Sequence, residues 1–428
     1  MKKILNKLDI ISFLFVICIL TICFVGSILV VYRSLTLKEY SHFILLFLPL
    51  EIIFYILSKI KNRSITKTEI LLFILVILSS ISYIHSIDKN VALWGFYNRY
   101  EGLFMILFYY FTALLTSTIN DMYYKKIIVY FIILIGFINV VYGFLQVSLL
   151  SNPPSFLKDS WKYARGFQGN SMYFSSLISI CYFIVFGYFI YNKDSNRKIL
   201  SIILLLLFTI GSVISGSMAL FCTTILLFIW TIISELLYIK KSVFSRKRLF
   251  KIIGCILVFI LISFLFTKKD SNYKRDVNSL KSEVKQVTSR AHVDDKFGTG
   301  RIYIWKNALS KASENLIWGV GTDNFYYAFT PRLIDPVSTY QVDKAHNDYL
   351  QRLVCEGIFS LIIYIIFLAV LFLNNFREKN LFYKCIFLGF FAYIVSIFFN
   401  ISVIRVAPIY WIIVGLLMSK KNDSLIEA

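Results

Sequence analysis

Apolar runs about as long as a bilayer-crossing helix recur from one end of this chain to the other. A helix of about 20 apolar residues crosses the hydrocarbon core with its backbone hydrogen bonds made internally, so repeated runs of that length specify a helical membrane bundle. Twelve spans are predicted, near residues 10–32, 42–58, 70–86, 102–119, 126–150, 171–191, 199–214, 217–239, 250–267, 350–373, 383–399 and 402–419. Ser215-Gly216-Ser217 separates the seventh from the eighth. The expected fold is an all-α polytopic membrane protein, a single bundle over residues 1–428. Composition agrees. Of 428 residues, 58% are hydrophobic and 16% charged, whereas soluble domains sit near half and a quarter, so an ordinary cytosolic enzyme or a disordered chain is excluded. The first run, MKKILNKLDI continued to Val31, is too long for a signal peptide and lacks a small-x-small cleavage site, which makes it a retained span.

Lys and Arg number 45 against 24 Asp and Glu, a net charge of +21. In a soluble protein that excess would suggest nucleic acid. Here the basic residues lie mostly between apolar runs, where they set orientation, so membrane lipids and no nucleic acid are the expected partners. Short loops on the side of the N terminus, with their flanks, hold 23 basic residues and those on the opposite side eight; the other 14 lie in 268–352, too long a segment to count. Both termini are therefore expected in the cytoplasm. The seven cysteines all fall in or beside apolar runs without CxxC or metal-ligand spacing, and Asp294-Asp295 is an incomplete cation site. No disulfide framework, metal or cofactor is expected.

This orientation places three non-helical stretches outside: 87–101, 151–170 and, between spans 9 and 10, the large loop 268–349. Loops of that size usually carry function. Its first part is polar and low in aromatics; from Phe297 onward Trp305, Trp318, Phe325, Tyr326, Tyr327 and Phe329 stand among charges, a mixture suited to amphipathic helices at headgroup level. Gly298 and Gly300 precede a run in which Arg301, Trp305 and Ala308 share one helical face, with an end near Asn315. Gly319 and Gly321 supply a turn, and His346-Asn347-Asp348 stands just before span 10.

In order and placement these elements resemble the bacterial O-antigen ligase and surface-polysaccharide polymerase family of membrane proteins. The resemblance rests on Gly300-Arg301 with Trp305, on Gly319-Val320-Gly321 and on His346-Asn347. It extends more loosely over about 160–418, with RGFQGN at 165–170 and Glu356-Gly357 opening span 10. It implies a glycosyltransferase in the bacterial plasma membrane that moves or polymerises glycan from a polyprenyl-diphosphate-linked oligosaccharide donor onto a glycan, lipid or protein acceptor at the outer face of that membrane. One departure stands out. Ligases of this kind carry a Ser-Arg-Gly element near the eighth span, its arginine helping to hold the diphosphate, where this chain has Ser215-Gly216-Ser217-Met218-Ala219. Either another cation substitutes, Arg165 in YARGFQG ahead of Arg99 in YNRYEG, or this chain handles its substrate differently.

The residues suit such chemistry. A diphosphate leaving group gathers negative charge, so fixed cations matter more than an acid, and arginine offers a planar fork that stays charged near lipid. The acceptor hydroxyl loses a proton, which a histidine with an ordinary pKa of about 6.5 can accept. Direct attack on the anomeric carbon inverts it. Catalysis is thus assigned to His346 and Arg301, diphosphate binding to Arg301, Arg165 and Arg99, and support to Trp305, Asn347, Glu356 and Arg405, with no metal.

Plainer readings stand beside these. Arg301 also reads as snorkelling above a Trp305 anchor, and Arg165 and Arg99 as lipid-headgroup contacts. His346, Asn347 or Asp348 also reads as a helix cap. Arg405, read in the first turn of the last span, reaches the outer interface or pairs with Glu356. Two other classes compete. A twelve-span transporter usually puts its long connection inside and repeats its halves, and no repeat is visible here. A lipid-linked glycan flippase needs a central cationic cavity. The expected topology has a direct check: in a cysteine-free background, an impermeant thiol reagent added outside should label Ser279→Cys and miss Ser195→Cys, and the reverse pattern would overturn both the orientation and an outward-facing site.

Overall fold

The computed structural model describes residues 2–61, 65–148, 163–192, 197–237, 246–269, 300–328 and 342–419. Asp294-Asp295, Gly298, Phe329, the labelling positions Ser195 and Ser279, and most of the stretches 151–170 and 268–299 lie outside the described residues. Among those described there are fifteen α-helices and no strand. The first seven are α1 (Lys2–Val31), α2 (Leu37–Leu45), α3 (Leu48–Lys61), α4 (Lys67–Ile84), α5 (Lys89–Trp94), α6 (Leu103–Thr116) and α7 (Met122–Ser148). Then come α8 (Ser171–Tyr191), α9 (Lys198–Ile214), α10 (Met218–Leu237), α11 (Arg246–Lys269), α12 (Arg301–Glu314), α13 (Asp348–Asn375), α14 (Leu381–Ser396) and α15 (Ala407–Met418).

The protein is a multi-pass helical membrane protein. Among the described residues eight segments are long and apolar enough to cross a bilayer: Lys7–Val31, Leu37–Ile60, Lys67–Ile84, Met122–Ser148, Ser171–Tyr191, Met218–Leu236, Arg246–Phe266 and Asp348–Asn375. At the other four expected positions stand shorter apolar helices, α6, α9, α14 and α15, of 10–17 residues. At about 1.5 Å per residue even the longest of these reaches only about 25 Å, less than the ~30 Å hydrocarbon core. Lipid-facing character is plainest on α11, where Leu257, Ile260, Leu261, Phe264 and Leu265 are all more than half exposed.

Helix starts depart from hydropathy where polar caps act. Thr36 and Glu39 form a reciprocal capping box that opens α2 at Leu37, and Thr66 with Glu69 does the same for α4 at Lys67. The expected second span is broken into α2 and α3, with Leu46-Phe47 between them just ahead of Pro49. The stretch 87–101 is also not wholly irregular. It contains α5, whose first free N–H groups, on Asn90 and Val91, are taken by the Asp88 carboxylate.

Contacts divide the chain into two compact units, one of Met1–Phe131, His292–Arg377 and Ile397–Ala428, the other of Ile132–Ala291 and Glu378–Ser396. In the second unit α8 is buried nearly all round and packs on α14, α9 and α10. Small residues let the α8 and α14 backbones approach: a Cβ on Gly389 would lie 2.6 Å from Ile184, and one on Gly187 would lie 2.9 Å from Leu388. In the first unit α13 packs on α4, α15 on α6, and α12 on α13.

The feature that shapes the first unit is a break inside α13. Gly357 sits there at φ 84° and ψ 177°, outside helical geometry. The groups it frees are paired again. The Val354 carbonyl accepts from Val320 N–H at 3.0 Å, the Cys355 carbonyl from Gly321 N–H at 2.9 Å and the Ser82 hydroxyl at 2.7 Å, and Ile358 N–H donates to Leu316 O at 2.8 Å. The Gly319-Gly321 turn thus lies directly on the broken helix. A Cβ on Gly319 would meet Cys355 backbone at 2.4 Å, and one on Gly357 would meet the Ile317 carbonyl at 2.2 Å. Left-handed strain alone costs a non-glycine residue about 1–3 kcal/mol. Gly357→Ala should therefore lower the melting temperature in detergent clearly, while Gly254→Ala in α11, with nothing within 4 Å of its added Cβ, should not; equal melting of both variants would refute this account of the break.

Candidate functional site

The helix with the Gly-Arg-x-x-x-Trp pattern is built to lie on α13. Ile304, Ala308 and Ala312, spaced one turn apart, are its buried residues and join Val320, Phe325, Val342, Ala345, Leu353, Val354 and Cys355 in one apolar cluster. Arg301 and Trp305 flank that stripe, both half-buried, and the Arg301 Nε is shielded from solvent. Trp305 donates its indole N–H to the Ala345 carbonyl at 3.1 Å and meets the Phe398 ring edge-on at 5.7 Å. Two motifs separated by 40 residues are thereby joined, with His346 next to the acceptor carbonyl.

His346 is half-buried and takes a left-handed backbone, φ 51°. The cap of α13 is Asn347, not His346: its side-chain oxygen accepts from Tyr349 N–H at 3.0 Å and Leu350 N–H at 3.1 Å. Asp348 ties the same turn to the chain ahead of α15, donating its N–H to Ile397 O at 3.0 Å and accepting from Ser402 N–H at 3.2 Å.

Just before His346, two consecutive residues of opposite charge reach the YNRYEG loop. Asp343 receives Arg99 through both carboxylate oxygens, at 2.7 and 3.0 Å. The Lys344 ammonium, only 5% exposed, lies 3.2 Å from Glu101 and 2.6 Å from Asp323. Asp323 also accepts the backbone N–H groups of Phe96 at 2.7 Å and Glu101 at 3.2 Å, and Glu101 accepts the Tyr109 hydroxyl at 2.9 Å. Asn324 clasps Asp88 through both its amide groups, and Thr322 donates to the Ala92 carbonyl. Among the described residues five non-glycines have a left-handed backbone, and four of them, Asn98, Tyr100, Asp323 and His346, lie in these three linked segments. Such strain persists only where surrounding contacts over-determine it.

Burial and charge set the titration here. Desolvation raises the Glu101 carboxyl, opposed by Lys344. Burial would lower Lys344, but Asp323 and Glu101 outweigh it and hold the ammonium above its ordinary value. Burial would likewise raise Asp343, yet the Arg99 hydrogen bond and charge keep it below 3.8.

The remaining assignments fall elsewhere. The Glu356 carboxylate takes the Ser79 and Ser360 hydroxyls and Arg352, one turn back on the same helix, at 2.9 Å. Arg405 lies in a turn ahead of α15 and not in its first turn, since the Val406 and Ala407 N–H groups both fold back on Val403 O. Arg165 belongs to the second unit. Its backbone N–H and that of Gly166 are held by Gln146 at 3.0 and 2.9 Å, and Phe167 stacks on Tyr142. Ala164 N–H donates to Ile214 O at 2.9 Å, so the segment bearing Arg165 is fastened beside Ser215-Gly216. Sequence reasoning missed Glu101, Asp323, Asp343, Lys344 and Arg352. The alternating signs of Arg99/Glu101 and Asp343/Lys344 were visible, but nothing local paired them.

The family model described as O-antigen ligase matches residues 199–365. The resemblance to that family is thereby supported over a stretch containing Arg301, Trp305, Gly319, His346, Asn347 and Glu356, with Arg99, Arg165 and Arg405 outside it. An uncharacterized protein of Haemophilus influenzae is 23% identical over 342 residues, covering 73% of this chain and 82% of the relative. What the resemblance carries is a glycosyl-transferring membrane protein of ligase or polymerase kind.

The Arg99–Asp343 pair has a signed pH dependence. A carboxyl held below its unfolded value contributes stability that is complete above pH 3.8 and is lost as pH falls through the lower folded value. The melting-temperature gap between the parent and Asp343→Asn should therefore be constant from about pH 7 to about pH 5 and close as the pH falls below 3.8. A gap that is the same at every pH would show that ionisation of Asp343 contributes nothing.

Proposed function

We propose that the protein is an inverting, metal-independent glycosyltransferase that transfers or polymerises glycan from a polyprenyl-diphosphate-linked donor onto an acceptor hydroxyl at the outer face of the plasma membrane. The proposal includes twelve spans, cytoplasmic termini and the segment 268–349 outside. One observation carries it: within the stretch matched by the O-antigen ligase model, the Arg301 helix and the His346 segment are fastened together by Trp305 and Ala345.

In this mechanism His346 takes the proton of the acceptor hydroxyl. The hydroxyl oxygen bonds to the anomeric carbon as that carbon's bond to the diphosphate oxygen breaks, and the electron pair leaves with the polyprenyl diphosphate. Arg301 stabilises that departing charge. It stands at the N terminus of α12, where Gly300 has no side chain to cap the first-turn N–H groups and the first turn holds no acidic residue; such a terminus favours an anion. Arg165 serves as the second cation, in place of the arginine missing near Met218, and what favours it over Arg99 is its segment's bond beside Ser215-Gly216. Arg99 is already forked onto Asp343.

Purified protein in lipid vesicles with a labelled lipid-linked oligosaccharide, followed by product sizing, tests the reading: a ladder marks a polymerase, a single increment a ligase, and no transfer overturns the proposal. Arg301→Ala should lose about 10²–10³ in rate, and Arg301→Lys should stay impaired because the fork is gone. Arg165→Ala should be slowed as well; parental activity there would return the role to Arg99. For His346 the informative variant is His346→Asn, since asparagine tolerates the left-handed backbone while lacking a titratable base. Donor binding should persist and turnover fall by about 10²-fold or more, and parental turnover would remove His346 from the chemistry.

A further inference from the structure

Two successive residues, Asp343 and Lys344, face two residues of the loop after α5, Arg99 and Glu101, with signs alternating along both segments. A shift of the 342–347 segment by one residue would set Lys344 against Arg99, or Asp343 against Glu101, and like charges at contact distance are repulsive. Asp323, fully buried, locks the inner rung from a third segment while its other oxygen holds the Phe96 and Glu101 N–H groups. Lys344 is two residues from His346, and Ala345 between them is fixed by Trp305 and by Gln351, which accepts the Ala345 N–H at 2.9 Å.

We propose that Arg99, Glu101, Asp323, Asp343 and Lys344 are positioning residues, a charge register that sets where His346 stands relative to the α12 helix. The inference rests on the proposed transfer reaction for its kinetic consequence, but not for its structural one. Arg99 in this role is not a diphosphate ligand. The inner rung is the stronger of the two, because its charges are buried and removing one leaves the others unpaired; the outer rung, about a fifth exposed on each side, mainly selects register.

The test is charge exchange. Arg99→Asp and Asp343→Arg are each made alone and then together, and Lys344→Met is made alone and with Asp323→Asn. Each single variant should slow transfer by about 10²-fold, the cost of roughly 1 Å of misplacement, without changing donor affinity. Amide hydrogen exchange should quicken over 342–347 while α12 and α13 stay protected. The Arg99→Asp/Asp343→Arg double variant should recover turnover and protection, which a diphosphate-binding Arg99 could not do. In the Lys344→Met/Asp323→Asn double variant, melting temperature should recover in part, since only Glu101 is left unpaired, with turnover still low. Loss of donor affinity in Arg99→Asp with no rescue by exchange, or single variants with parental turnover and unchanged exchange over 342–347, would overturn the register. If the parent itself transfers no glycan, the proposed function fails, and the exchange data still decide the register.

Discussion

Backbone polar groups at membrane depth find no water, so any break in a helix there must be answered by other protein groups. The first unit is organised around one such answer. Gly357 interrupts α13, and the carbonyls of Val354 and Cys355 that would have bonded within the helix receive Val320, Gly321 and Ser82 instead. Because those partners belong to the Gly319-Gly321 turn and to α4, the break fixes where that turn meets α13 and α4. The apolar underside of α12 then has a surface to cover, and Trp305 reaches Ala345. The position of the candidate catalytic histidine thus follows from one helix being unable to satisfy itself.

Electrostatics refines what the backbone begins. Burying an ammonium is costly unless it is paired and hydrogen-bonded, and Lys344 meets that condition with two carboxylates drawn from two other segments. Replacing such a cluster by apolar groups often leaves stability unchanged, so its presence beside His346 is better explained by the geometry it enforces than by the energy it adds. The clustering of Asn98, Tyr100, Asp323 and His346 in left-handed backbone supports the same view, since each is a local cost sustained by the surrounding contacts.

The membrane class of the fold was legible because apolar length is a one-dimensional signal; helix boundaries were less so. Thr36-x-x-Glu39 and Thr66-x-x-Glu69 are capping signals written in the sequence, and hydropathy alone placed those helix starts several residues late. Helix α5 is short and opened only by Asp88, too little for periodicity to register. The Glu356-Gly357 pair stood out in the sequence, but nothing local marked a break there, because the demand for glycine comes from Ile317 and Gly319, some 40 residues earlier in the chain. For the site, spacing alone put Arg301 and Trp305 on one face and His346 at a helix mouth, whereas Arg99 and Asp343 are 244 residues apart and only the fold could pair them.

That pairing changes how the cations divide their work. A guanidinium already forked onto a carboxylate has its best donors directed away from an incoming phosphate, so Arg99 is poorly placed to hold a diphosphate even though composition and position made it a candidate. Arg301 differs in kind. It begins a helix whose first turn holds no acidic residue, and that helix is held on α13 by an apolar stripe and one indole hydrogen bond. An anion arriving there would meet a helix terminus and an arginine together.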